Sequence, residues 1–194
     1  MTDTAPLTAA TQHASAALPV ASPAASFIAA RCTADGELLA TGEPLEVLAP
    51  QVVMQEVPGE ISLAFTVLGC PHRCRGCHSV ETWHNGWGDA LSCERLAAYI
   101  KRYQGLISCV CFLGGDWQPL ALLALLQQAR QLGLKTCLYA GTDTLDNRLL
   151  PYLDYLKLGA YVDSLGGLDV ATTNQRFYRL PEWQLLNHLF QKTR

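Results

Sequence analysis

The sequence carries little charge and no long run of charge of one sign. Only 16% of its 194 residues are charged, whereas 49% are hydrophobic. An average globular protein is about 25% charged, and a wholly disordered or coiled-coil chain needs more charge than this one has. A net charge of −3 gives no electrostatic footprint for a nucleic acid or a membrane surface as partner. We therefore expect a compact, soluble chain with one domain.

Cysteine is too sparse for a disulfide scaffold, because the chain has eight cysteines in 194 residues where such scaffolds reach roughly 8–10%. No charged segment followed by an apolar run opens the chain, as a secretory signal would. Both absences indicate a reducing cytoplasm, in which closely spaced thiols bind metal more often than they pair with each other.

The first thirty residues contain no Lys or Arg and are mostly Ala, Thr, Ser and Pro. They are too polar and too often interrupted by proline to span a bilayer. We expect a disordered leader over 1–30, followed by a single domain over 31–194. A transit peptide is the alternative, and the lack of arginine opposes it.

Strand and helix signals alternate through the rest of the chain. Short turns predict a hairpin or an irregular strand over 32–50, and apolar runs predict strands over 61–70, 107–115, 135–141 and 157–165. Helices are predicted from the N-cap Ser92, from Pro119 to Gly133, and over 147–156 near Pro151. This alternation predicts an α/β fold with a mostly parallel sheet and helices outside it, in which ligands bind at the carboxyl ends of the strands.

Three cysteines follow the first predicted strand with the spacing C-x3-C-x2-C: Cys70, Cys74 and Cys77. Thiolates at these intervals on one loop can bind a single metal centre. Three cysteines leave one position open, which His72 or His78 would close in a structural zinc site. In an iron-sulfur cluster, an external ligand would occupy that position.

The cysteine motif and its surroundings resemble the radical S-adenosylmethionine superfamily. The run from Gly69 to Trp83 looks like the activases of glycyl radical enzymes, and most like the activating proteins of anaerobic ribonucleoside-triphosphate reductase. Gly114-Gly115-Asp116 and the segment 172–176 support this resemblance, which covers roughly residues 50–194. The sequence departs from the superfamily at Gly76, where an aromatic residue is common, and at Trp117, where proline is usual.

The resemblance implies an incomplete (β/α) barrel and a radical S-adenosylmethionine enzyme. Its cofactors would be a [4Fe-4S] cluster on Cys70, Cys74 and Cys77 and S-adenosylmethionine on the fourth iron. Gly114 and Gly115 would let the backbone approach the methionine moiety, and Asp116 would accept a hydrogen bond from its ammonium. The implied partners are the reductase, as acceptor of a glycyl radical, and a low-potential electron donor such as flavodoxin or ferredoxin. Activation of another glycyl radical enzyme, or a non-catalytic zinc or iron-sulfur module, remains an alternative.

Other residues are weaker candidates. His78 could tune the cluster or contact the cofactor, or be a solvated loop histidine. Lys157 could meet the cofactor at the mouth of the sheet, or be a surface lysine. The trio 174–176 would shape a partner groove or form a capping turn. The remaining cysteines are interpreted as small core or partly buried residues, with a second cluster as the alternative: Cys32, Cys93, Cys109, Cys111 and Cys137.

Overall fold

A computed structural model describes residues 43–191 of the chain. The predicted leader over 1–30 and the beginning of the predicted hairpin lie outside the described residues. The strands are β1 (Leu45–Val47), β2 (Gln51–Val53), β3 (Ser62–Thr66), β4 (Asp89–Leu91), β5 (Cys109–Leu113), β6 (Lys135–Tyr139), β7 (Tyr155–Leu158), β8 (Arg176–Arg179) and β9 (Gln184–Leu185). The helices are α1 (Cys93–Arg102) and α2 (Pro119–Gln131), with 3₁₀ turns at Val80–Trp83, Leu150–Tyr152 and Asn187–Leu189.

Seven strands form one mixed sheet in the order β2-β3-β5-β6-β7-β8-β9. The four central strands, β3, β5, β6 and β7, are parallel, whereas β2, β8 and β9 pair antiparallel with their neighbours. The predicted α/β class with a parallel sheet is therefore confirmed for the centre of the sheet. Because the parallel strands point the same way, their carboxyl ends meet at one edge, and the loops that follow them lie side by side.

The two faces of the central strands bury different residues, as the period of two in a strand requires. One face packs against both helices and is aliphatic and aromatic, with Phe65, Val110, Phe112, Leu138 and Leu156 in one buried cluster. The other face, here called the inner face, has smaller and more polarisable side chains. Its buried cluster includes Ala64, Cys109, Cys111, Cys137, Tyr155 and Phe177.

Both helices begin and end where their local signals lie. Ser92 is the N-cap of α1, and its hydroxyl accepts a hydrogen bond from the Arg95 backbone N–H at 3.1 Å. Pro119 is the first residue of α2. After α2, Gly133 has φ +80° and donates its N–H to Arg130, while Leu134 donates to Ala129, which is the Schellman pattern.

The helix predicted over 147–156 is wrong. That segment holds only the short turn Leu150–Tyr152, and β7 begins at Tyr155. Tyr155 packs in the inner-face cluster and Leu156 in the helix-facing cluster, so the apolar residues alternate with the period of a strand. The fourth strand therefore begins two residues before the predicted 157 and ends at Leu158, before Gly159 with φ +102°.

Only residues 43–50 of the predicted hairpin or irregular strand over 32–50 lie within the described part of the chain. The strand β1 exists, but it pairs antiparallel with β4, which lies about forty residues further along the chain. Within residues 43–191, no helix has the length and apolar character that a membrane span requires.

Candidate metal centre

The loops that follow the central strands bring most of the candidate residues to one edge of the sheet. The cysteine loop (residues 70–77) follows β3, and Gly114-Gly115-Asp116 follows β5. Gly141 lies two residues after β6, and Lys157 is near the end of β7. The sequence predicted the cysteine loop and Gly114-Gly115-Asp116 at strand ends but placed Lys157 at the start of a strand, which the bounds of β7 correct. The parallel register of β3, β5, β6 and β7 makes these groups neighbours.

The cysteine loop holds three free thiols, each partly buried. The Cys70 backbone N–H donates to the Thr82 carbonyl at 3.0 Å, and the Cys77 N–H donates to the Cys74 carbonyl at 3.1 Å. Arg73 (φ +44°) and Gly76 (φ +75°) have left-handed backbone conformations that turn the loop. These bonds fix the loop at both of its ends.

Backbone N–H groups point at two of the sulfurs. The N–H groups of His72 and Arg73 donate to the Cys70 sulfur, and the Ser79 N–H lies 3.4 Å from the Cys77 sulfur. Such donors stabilise negative charge on sulfur, which suits thiolates that bind iron. Burial nevertheless raises the pKa of Cys70, and the charges of Asp116 and Cys74 add to this. A bound cation would favour loss of the Cys70 proton.

The two histidines of the zinc alternative each contact another side chain. Within the described part of the chain, no three His, Cys, Asp or Glu side chains gather around a point where one metal ion could bind. His72 faces Asp116, and His78 packs against Tyr161 with ring centroids 5.5 Å apart. A zinc ion needs all its ligands about 2.0–2.3 Å away from one point. In a cubane cluster each cysteine binds a different iron, so the three sulfurs can lie further apart.

Asp116 is the most deeply buried acid at this edge. Its side chain is only 4% exposed. One oxygen, Oδ2, lies 3.3 Å from Nε2 of His72, whereas Oδ1 is buried without a hydrogen-bond partner. A buried carboxylate oxygen without a donor is costly. The Oδ1 atom is therefore suited to a cationic donor from a ligand.

The two glycines before Asp116 are required by the backbone. Gly114 has φ +95° and Gly115 φ +99°, a region that side chains rarely enter. A Cβ on Gly114 would also lie 2.8 Å from Cη2 of Trp117. The Trp117 ring thus packs over this glycine.

Lys157 is buried, so its interpretation as a surface lysine is wrong. It is 7% exposed, and its Nζ donates to the carbonyls of Gly159 (2.5 Å) and Ala140 (3.3 Å). Burial lowers its pKa to about 8, although the charges of Cys74, Asp116 and Asp143 act in the opposite direction. The ammonium thus lies at the ends of β6 and β7, where these two carbonyls hold it.

The segment 174–176 lies beside the end of β7. Asn174 donates through Nδ2 to the Ala160 carbonyl at 2.9 Å, and its Oδ1 is buried without a partner. Gln175 reaches the Gly159 carbonyl, whereas Arg176 donates to the carbonyls of Thr173 and Gln175. Arg176 thus caps its own segment, whereas the Asn174 side chain of the same predicted trio keeps one buried oxygen without a partner.

The described cysteines outside the loop lie in the protein core. Cys109, Cys111 and Cys137 are fully buried on the inner face, as expected for core residues, and burial raises the pKa of Cys109 and Cys137. Cys93 is buried at the start of α1 but is disulfide-bonded, which the sequence analysis did not anticipate. Cys32 lies outside the described residues.

Comparison with known families decides the class of the cofactor. A family model described as a 4Fe-4S single cluster domain matches residues 58–176, which is more than half of the chain. The chain belongs to this 4Fe-4S single cluster domain family. No curated protein matches the sequence significantly. The matched region includes the cysteine loop, Asp116 and Lys157, and membership supports a [4Fe-4S] cluster as the cofactor.

Proposed function

We propose that this protein is a radical S-adenosylmethionine activase, which generates a glycyl radical on anaerobic ribonucleoside-triphosphate reductase. The observation that carries the proposal is the meeting, at one sheet edge, of three free thiols with an unsatisfied buried carboxylate oxygen. Membership of a 4Fe-4S cluster family and the resemblance of the cysteine loop to these activases support it. The central parallel strands are compatible with the incomplete barrel of that superfamily.

Cys70, Cys74 and Cys77 would each bind one iron of the cluster, which leaves the fourth iron for the ligand. The backbone donors to Cys70 and Cys77 would then stabilise the negative charge of the cysteine sulfurs. The chemistry that the cluster and S-adenosylmethionine supply when bound is one-electron reductive cleavage of the sulfonium. Its products are methionine and, after hydrogen transfer from a glycine of the partner, 5′-deoxyadenosine.

The remaining site residues would bind and orient the ligand. Asp116 Oδ1 would accept from the ammonium of the methionine moiety, which satisfies the oxygen that lacks a donor. Lys157 would face the carboxylate of the same moiety, because its ammonium lies at the same edge of the sheet, at the ends of β6 and β7. Gly114 and Gly115, with φ +95° and +99°, would form the backbone turn that places Asp116 beside the methionine moiety.

His78 is placed differently from these residues. Its ring packs against Tyr161, on the side of the loop where Gly76 approaches Asp163. In the proposed function His78 contacts the adenosine side of the ligand or the cluster surroundings, and it orients rather than reacts. The proposed setting is the cytoplasm, with flavodoxin or ferredoxin as the electron donor and without a nucleic acid or membrane partner.

The test is anaerobic reconstitution with iron and sulfide, reduction, and chromatographic detection of 5′-deoxyadenosine from S-adenosylmethionine. We expect Cys70→Ala, Cys74→Ala and Cys77→Ala each to abolish the product, because each removes an iron ligand. Cys109→Ala is the matched control, since Cys109 is also a free cysteine but lies in the core away from the loop. An active Cys74→Ala protein would refute the proposal, as would a wild-type cluster that never yields 5′-deoxyadenosine.

A further inference from the structure

His72, in the cysteine loop, packs between the ends of two strands, β5 and β6. The Nε2 atom of His72 lies 3.3 Å from Asp116 Oδ2, in the loop after β5. Its ring also meets Trp117 edge-on, with centroids 6.3 Å apart. On its other side the ring lies against Gly141, after β6. His72 is thus a link between the cysteine loop and the two neighbouring strand ends.

The absence of a side chain at Gly141 makes room for this ring. A Cβ on Gly141 would lie 2.9 Å from His72 Nε2 and closer still to its Cδ2. The φ of Gly141 is not in the left-handed region, unlike those of Gly114 and Gly115. Its backbone therefore tolerates alanine, and the cost of a side chain there comes from the contact with His72.

The same contact decides which oxygen of Asp116 remains available. The His72 imidazole donates this hydrogen bond to Oδ2 in the tautomer that carries the proton on Nε2. The opposite oxygen, Oδ1, stays buried without a partner. If the imidazole were absent, the carboxylate could rotate and lose this orientation.

We propose that His72 is a positioning residue, which fixes the Asp116 carboxylate so that Oδ1 faces the ammonium of the ligand. The lack of a side chain at Gly141 leaves room for the His72 ring in this position. This inference rests on the proposed function, because the ligand is S-adenosylmethionine. His72 contacts neither the reacting bond nor the iron in this account. It acts through Asp116.

The test is a double-mutant cycle on the reconstituted protein with His72→Ala, Gly141→Ala and the double variant. The readouts are the dissociation constant of S-adenosylmethionine by equilibrium dialysis, and the iron and sulfide content. We expect each single variant to weaken binding about tenfold, which is the effect of losing a charge-assisted hydrogen bond, with iron content unchanged. The double variant should bind no more weakly than His72→Ala, because without the ring the Gly141→Ala clash disappears.

Two further variants separate positioning from a general structural role. His72→Gln keeps a side-chain N–H donor, and we expect it to restore most of the affinity. His84→Ala removes an exposed histidine that follows the same loop and should bind like the wild type. The inference would be overturned by additive effects of the two alanine substitutions or by loss of iron in His72→Ala. It would also be overturned if His72→Gln failed to restore the affinity for S-adenosylmethionine.

The outcome for the wild type distinguishes a failure of the positioning role from a failure of the proposed function. A wild-type protein that binds S-adenosylmethionine with an additive cycle means that the positioning role is wrong and the proposed function stands. A reconstituted wild type that binds no S-adenosylmethionine refutes the proposed function and the positioning role together.

Discussion

Replacing the buried lysine at the mouth of the sheet should stabilise the protein and abolish its activity. Lys157 is 7% exposed, and burial lowers its pKa to about 8 from an ordinary value of 10.5. At neutral pH, keeping this ammonium charged in the fold costs about 3 kcal/mol relative to the unfolded chain. Lys157→Met removes that cost and keeps most of the side-chain volume.

Part of the gain is lost with the two hydrogen bonds that Nζ donates to Ala140 and Gly159, at about 1 kcal/mol each. The variant should therefore be about 1 kcal/mol more stable than the wild type at pH 7. The advantage depends on pH, because the unfolded chain holds the lysine proton more tightly than the folded one. The wild type thus gains stability as the pH rises from about 8 to 10.5, whereas the variant does not.

The assay is urea unfolding of the reduced protein without iron, followed by fluorescence at several pH values between 7 and 10. The difference in unfolding free energy between variant and wild type should change by about 2 kcal/mol over this range, in favour of the wild type at high pH. Unfolding free energies of variant and wild type that change in parallel with pH would refute the reasoning. The same variant should fail to bind S-adenosylmethionine after reconstitution, because its ammonium is proposed to face the ligand carboxylate.

Three other substitutions test the surroundings of the site and the fold. Gly114→Ala should cost about 1–3 kcal/mol in urea unfolding and weaken S-adenosylmethionine binding, because φ is +95° and Trp117 lies against the new methyl group; unchanged stability would contradict this. Glu60→Gln should cost about 1–3 kcal/mol at pH 7, since burial raises the pKa of Glu60 but hydrogen bonds from Lys135, Ser108 and Tyr155 bring it below its ordinary value. The wild type should lose this stabilisation as the pH falls through the lowered pKa of Glu60. An unfolding free energy of the Glu60→Gln variant that falls equally steeply at acid pH would refute the assignment. Ser92→Ala should cost about 1 kcal/mol by removing the N-cap of α1, and a helix of unchanged stability by circular dichroism on heating would show that the cap is dispensable.

Local signals predicted the parts of the fold that depend on local chemistry. Ser92, Pro119 and Gly133 mark helix ends because capping and left-handed turns involve residues a few positions apart. The cysteine spacing predicted a metal site for the same reason, since its ligands lie on one short loop. The family match over 58–176 agrees with a [4Fe-4S] centre, while the residues that bind it remain predictions.

The features that the sequence did not predict depend on packing between residues that are far apart along the chain. The burial of Lys157 depends on loops after β6 and β7 that cover it, and nothing in its neighbours along the chain signals this. The contact between His72 and Asp116 joins residues 44 positions apart. The segment 147–156 looked helical because its leucines can fit both periods, and pairing of β7 with β6 and β8 decided the outcome.

The central claim is that three cysteines leave one iron open to S-adenosylmethionine. Its most direct test is electron paramagnetic resonance of the reconstituted, reduced protein with and without S-adenosylmethionine. We expect a [4Fe-4S] signal that changes when the ligand is added to the wild type and is lost in Cys74→Ala. A spectrum that is identical with and without the ligand would contradict the account, because the open iron would then have a ligand from the protein.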